Sequence, residues 1–205
     1  MKTRQLMKRL KEKYKDEKVF VVLSSTINNI PDKFNKETDN KIWTKYDTLG
    51  KFIYRYDAEY DSTYQQIIPY ALITNKTKDK YYVSKRIKGD ARLIDNLSLG
   101  FGGHINPCDG SYEIVLKALG RELNEELILE PTSKAKYLGT VRDLTSKTKE
   151  HLGLVFIIET EEDNVSIKEK DNLEGIWMTK QEMYDNYSKF EGWSKYILSY
   201  LYDND

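Results

Sequence analysis

One cysteine, Cys108, stands in 205 residues, so no intramolecular disulfide can form and a reducing compartment suits the chain best. Its two histidines, His104 and His151, are too few for a histidine-rich zinc site. Long apolar runs are missing as well. None approaches the roughly 20 residues that span a bilayer, so no membrane is expected. Charge of one sign is not in excess either: Lys+Arg and Asp+Glu number 33 each. No global field therefore draws the chain to a nucleic-acid polymer, and a short phosphorylated ligand needs only a local positive patch. The stretch 1–16 is basic, with Leu6, Leu10 and Tyr14 four residues apart. It has no apolar core of a signal peptide, and Glu12, Asp16 and Glu17 do not suit a transit peptide. It reads as a docking helix within a cytoplasmic protein, with a partner-binding helix as the alternative.

The length fits one domain with an elaborated end. Residues 19–23 (VFVVL) form a β-branched run that predicts a short buried strand. The stretch 24–60 is polar and interrupted by Pro31 and Gly50; turns, a helical segment and one further strand are expected there. Residues 66–74 and 81–87 predict a hairpin, with Pro69 marking an edge or an irregular start because it withholds a donor. Residues 113–127 predict the best helix of the chain, capped by Asp109 or Ser111, with Leu116, Leu119, Leu123 and Leu127 as its core stripe. Strands are expected at 136–144, 152–159 and 175–178. A capping box at Thr179 to Glu182 opens one helix, and an amphipathic helix at 192–202 follows. This order describes a mixed α/β sheet with packed helices.

The informative stretch runs from Gly102-Gly103 through Glu113 to Arg121-Glu122-Leu123-Asn124-Glu125-Glu126. With Glu122 at zero on a helical wheel, Glu125 falls near 300° and Glu126 near 40°, from about 100° per residue. Three carboxylates therefore crowd one arc beside the leucine stripe. Like charges so spaced weaken a helix by some tenths of a kcal/mol per pair, and a divalent cation reverses that sign. All-oxygen ligation selects hard ions, Mg2+ first and Mn2+ next. Arg121 can orient one acid by a bidentate pair, Ala118 one turn earlier leaves room for a ligand, and the glycine pair allows a carbonyl to face the ion. Alone, a Glu-x-x-Glu-Glu cluster is more often a solvated face. The glycines and the arginine around it change that weighting.

The stretch from Gly103 to Leu129 resembles the Nudix box, G-x5-E-x7-R-E-U-x-E-E-x-G-U, at Gly103, Glu113, Arg121, Glu122, Leu123, Glu125, Glu126 and Leu129. Two departures are plain: the residues between Gly103 and Glu113 are too many, so Pro107 to Gly110 is an enlarged loop, and Ile128 replaces the late glycine. The resemblance implies a Nudix-like α/β/α sandwich with a mixed central β-sheet over 61–205, with 1–60 as an elaboration packed on it. It implies a metal-dependent pyrophosphohydrolase acting on a small-molecule diphosphate substrate, typically a nucleotide derivative. By position, Glu122, Glu125, Glu126 and the Gly103 carbonyl would hold magnesium, with Arg121 and Glu113 in support. A later acid often assists in this family, and Glu169, Asp171 and Glu174 are all candidates.

Other residues carry weaker signals. Lys85 and Arg86, at a strand end, are candidate phosphate contacts, and Trp177, Tyr81 and Tyr82 could stack on a base, although aromatics in strands are more often core. His104 reads as shaping its loop by a hydrogen bond rather than as a general base. Two alternatives remain: a catalytically silent nucleotide-sensing or partner-binding module on the same fold, and a prenyl diphosphate isomerase, which would depend on Cys108. The substrate, the oligomeric state and the role of 24–60 are left open.

Overall fold

The computed structural model describes residues 2–37, 39, 43–88, 94–146, 148–168 and 170–204. Helix α1 (Lys2–Tyr14) leads into β1 (Lys18–Leu23), then β2 (Lys33–Lys36), α2 (Thr44–Leu49), β3 (Lys51–Tyr54) and the single turn α3 (Arg55–Ala58). The long β4 (Tyr64–Asn75) turns into β5 (Lys80–Arg86), and the short β6 (Leu97–Ser98) and β7 (Gly100–Gly102) precede α4 (Ile114–Glu126). The rest of the chain supplies β8 (Leu127–Pro131), β9 (Lys136–Arg142), β10 (His151–Ile167), β11 (Leu173–Thr179), α5 (Lys180–Asp185) and α6 (Gly192–Asp203).

The strands join one mixed sheet whose main path is β11-β5-β4-β10-β9-β2. At its centre β4 and β10 run parallel, from His151 opposite Gln66 to Thr160 opposite Asn75. A parallel pair needs cover on both faces, and β4 is buried at every position after Tyr64. Its Ile67, Ala71 and Ile73 pack with Leu119 and Leu123 of α4, while Tyr70 and Leu72 pack with Ile197 and Leu198 of α6. Alternation along the strand thus builds two cores, and the result is the α/β/α sandwich.

Several expectations are corrected. Pro69 lies in the central strand, not at an edge. On the side away from β10, β4 is shared by β1, which pairs as far as Gln66, and β7, which pairs from Tyr70. Pro69 sits in the gap between them, where no N–H is called for. Strand β10 runs on through the charged residues 160–167 because β8 pairs with it beyond a register shift. Solvent exposure of that extension hid it from a hydropathy reading. Ile128 begins no further helical turn: Leu127 is already extended (φ −124°, ψ 148°), and its partner on β10 is Ile167. The polar stretch 24–60 delivers Trp43 and Tyr46 to the α4-side core; Ile42 lies outside the described residues. Thr179 caps α5 as the capping box foretold, accepting from the Glu182 N–H while the Glu182 carboxylate accepts from the Thr179 N–H.

Candidate functional site

Strand β7 carries the chain into the site. Gly102 has φ +151°, and a Cβ there would lie 2.0 Å from the Pro69 carbonyl oxygen, so this close backbone approach requires glycine. At Gly103 the neighbour is different: a Cβ would stand 2.5 Å from Glu122 Oε2 and 2.7 Å from Oε1. The bare edge of Gly103 is where the Glu122 carboxylate rests.

Helix α4 has no side-chain cap. Its boundary residue is Glu113, in the left-handed region at φ +49°. Asp109 and Ser111, expected as caps, do not serve. The enlarged loop instead folds as a 3-10 turn over Pro107–Asp109, and Asp109 accepts from the Asn106 N–H at 2.7 Å. The same carboxylate takes the Arg121 fork, from Nε at 2.8 Å and Nη2 at 3.0 Å. The bidentate partner of Arg121 is therefore Asp109, not one of the box glutamates. Arg121 further donates to Glu122 Oε1 at 2.7 Å and to the His104 carbonyl at 2.8 Å. Its guanidinium reaches Glu125 at 3.4 Å. The hydrogen bond to Asp109 holds the arginine firmly charged. Burial pushes the Glu122 carboxyl above the usual carboxylate range, and Arg121 opposes that rise.

Two cavities of about 430 Å³ each meet here, sharing Tyr70, Ser98, Gly102 and Glu191. One brings together Glu122, Glu125, Glu126 and Arg86. The other holds Gly103, His104 and His151 against the apolar wall of Ile68 and Trp193. Arg86 Nε is buried and has no hydrogen-bond partner among the described residues. Lys85 points to the opposite face of β5 and pairs with Asp95 at 2.9 Å. Glu174, opposite Lys85 on β11, lines a separate cavity with Tyr82 and Lys170. Asp171 is exposed, and Glu169 lies outside the described residues. Glu113 is exposed and lines neither of the two meeting cavities.

Ala118 leaves no room for a ligand: it is 0% exposed and sits in the core, where its small side chain lets α4 approach the sheet. Trp177 packs on Tyr82 with ring centroids 5.3 Å apart and donates to the Glu162 carbonyl, while Tyr81 belongs to the α6-side core. Cys108 is exposed on the 3-10 turn.

The sequence reading missed Asp109 as the arginine's anchor. An Asn-Pro pair with an acid two residues after the proline is a turn signal that could have exposed it. It also missed Tyr70, whose hydroxyl accepts from the Gly100 N–H, and Glu191, which faces both cavities. No local pattern marks these two. They reach the site only through the pairing of β4 and the packing of α6. The His104 ring meets His151, Nε2 to Nε2 at 3.2 Å, and burial, more than the nearby Arg55, holds its pKa down to about 3.

No family model matches the chain. It is similar to the crystal structure of Tm1382, placed among the Nudix hydrolases, with a TM-score of 0.78 and 30% identity over 91% of this chain and 99% of that one. It is 37% identical over 158 residues to Protein YmaB of Bacillus subtilis (strain 168), covering 72% of this chain and 76% of the relative. The Nudix domain of Shewanella oneidensis NrtR, crystallised with ADP-ribose, matches at a TM-score of 0.51 and 13% identity over 68% of this chain and 87% of that one. At that identity the likeness is one of fold.

Proposed function

This chain belongs to the Nudix hydrolase family, and on that premise we propose that it hydrolyses the phosphoanhydride bond of a nucleoside diphosphate derivative with Mg2+, for which Mn2+ can substitute. The observation that carries the reading is the single cavity lined by Glu122, Glu125, Glu126 and Arg86. The donor set fits a hard cation: three carboxylates on one helix, one of them seated against a glycine edge, with the Gly103 carbonyl as a further oxygen ligand. When bound, such an ion neutralises charge on the diphosphate and lowers the pKa of water.

The chain's own residues do the rest. Arg121, clamped by Asp109, fixes the Glu122 carboxylate. Arg86, with its unpartnered Nε, donates to a phosphate oxygen. Glu191 is the late acid this reading assigns, orienting the attacking water and accepting its proton, because it faces both cavities. The adjoining apolar wall receives the rest of the substrate. Glu113 supports the start of α4, and 1–60 is an elaboration of the 61–205 catalytic domain. No helix among the described residues is long and apolar enough to cross a membrane, and a cytoplasmic location belongs to the same proposal.

Glu125→Gln and Glu126→Gln, each of which keeps the volume and removes a charge, are expected to abolish turnover while far-UV circular dichroism stays that of the wild type. The assay panel is nucleoside triphosphates, sugar nucleotides, dinucleoside polyphosphates and ADP-ribose, with and without magnesium, scored for phosphate products. Wild-type turnover by both variants at saturating magnesium overturns the reading.

A further inference from the structure

Outside the glutamate cavity, three segments remote in sequence bring metal-binding side chains to one point. Glu59 ends α3, His104 follows β7 and His151 opens β10. Their donor atoms all lie within 4.8 Å of one another. The His104 and His151 Nε2 atoms are 3.2 Å apart, and His151 Nε2 is 4.0 Å from Glu59 Oε1. We propose that Glu59, His104 and His151 form a second metal site that takes one zinc(II) ion, with a fourth coordination position open to the cavity walled by Ile68 and Trp193.

Four features argue for it. Two ligands about 2.0–2.1 Å from a tetrahedral ion stand about 3.3 Å apart, close to the separation of the two imidazole nitrogens. The third donor stands 4.0 Å from His151 Nε2 and within 4.8 Å of the His104 donor, so it needs to move by at most about 1.5 Å to reach that spacing, which a glutamate side chain can do. The ring centroids are 5.3 Å apart while the two Nε2 atoms are 3.2 Å apart, so the rings' nitrogen edges rather than their faces converge. His151 Nδ1 lies 3.2 Å from the Thr148 carbonyl. Its proton is held there, and the Nε2 lone pair is left facing inward, which is how outer partners orient metal-bound histidines.

Charge and chemistry select the ion. Arg55, the arginine at the site among the described residues, is already paired with Glu17 at 2.8 Å and with Glu59 at 3.5 Å. Glu150 adds its negative field at His151. Glu17, Glu59 and Glu150 against Arg55 and Lys149, the lysine 3.9 Å from Glu150, still leave a net negative charge for a dication. Two imidazoles and one carboxylate are poor ligands for magnesium, which demands oxygen, and are a known zinc set of the open, three-ligand kind. The fourth position falls on the cavity side because both histidines line that cavity. An oxygen of water or of a bound phosphate would occupy it.

The test is zinc titration by calorimetry, on chelator-treated full-length protein in millimolar magnesium to fill the glutamate site. Wild type and Glu125→Gln are expected to bind one zinc per chain. His151→Gln and Glu59→Gln should bind at least about 100-fold more weakly, beyond the 10–100-fold that loss of an outer partner costs. Cobalt(II) should give the visible absorption of a four-coordinate ion in wild type and Glu125→Gln, and not in His151→Gln or Glu59→Gln. Circular dichroism verifies folding, and Glu59→Gln, at a partly exposed residue, serves if the histidine variant fails to fold. No stoichiometric zinc in the wild type means that the two histidines pair by a hydrogen bond alone, and it overturns the proposal. Undiminished zinc affinity in folded His151→Gln or Glu59→Gln does the same.

Discussion

Gly103→Ala gives the most direct reading of the site, because one methyl group meets one carboxylate. The new Cβ would stand 2.5 Å from Glu122 Oε2, whereas ordinary contact begins near 3.4 Å, so the carboxylate must retreat by about 0.9 Å. It cannot do so freely, since Arg121 grips it at 2.7 Å. The backbone is no obstacle: Gly103 is not among the positive-φ residues, so alanine adds no backbone strain there, and its restriction of the unfolded chain offsets the cost of moving the carboxylate. Stability should hold while the proposed metal ligand is displaced. A misplacement of about 1 Å costs on the order of 10²-fold in rate, or about 2.7 kcal/mol of transition-state stabilisation. The assay is kcat against magnesium concentration, beside a thermal melt. Loss of rate with an unchanged melt is the expected result. Activity within threefold of the wild type in a folded variant refutes the argument, because Glu122 would then not need the position that Gly103 allows it.

Other perturbations reach different links. Asp109→Ala removes a carboxylate that is 2% exposed and strips Arg121 of its fork; because Arg121 keeps Glu122 and some solvent, the loss should be about 2–3 kcal/mol, read from urea midpoints at constant slope. A shift under about 0.5 kcal/mol would mean that the fork contributes little. Cys108→Ala should leave turnover unchanged, since this thiol is exposed and lines neither cavity; abolished activity would revive the isomerase alternative. Burial, aided by Glu37, lifts the Tyr46 pKa to about 12 from its ordinary 10.0. The unfolded chain therefore ionises first, and this contribution is whole below pH 10 and is lost as pH rises to about 12. Tyr46 should contribute roughly 2–3 kcal/mol to the fall in unfolding free energy across that window, read from denaturant curves, and Tyr46→Phe should make the decline shallower by that amount.

Much of the candidate site was legible in the chain itself because it is local. Glu122, Glu125 and Glu126 share a helix arc by spacing alone, and a helix of that length keeps the spacing in three dimensions. Gly103 and Arg121 were legible through the box pattern. Lys85 and Arg86 were indistinguishable by type, and only the alternation of β5 across the sheet turns Arg86 into the glutamate cavity and Lys85 towards Asp95. The caps of α4 were misjudged because Asp109 had a stronger claimant in Arg121, on the helix itself. Pro69 was misjudged because an edge and an internal gap both lack a hydrogen-bond partner, and sequence does not tell them apart.

What the sequence determined by itself was what depends on neighbours along the chain: the elements with clear periodicity, the crowding of three acids and the stretch that resembles the Nudix box. Tertiary structure alone decided what depends on pairing. It set Glu191 and Tyr70 at the cleft, and it brought Glu59, His104 and His151 to one point from three separate segments. The physical reason is range. Helical and strand periods act over a few residues, whereas the meeting of α3, the loop after β7 and the start of β10 is fixed by the parallel register of two central strands and by the burial that holds them.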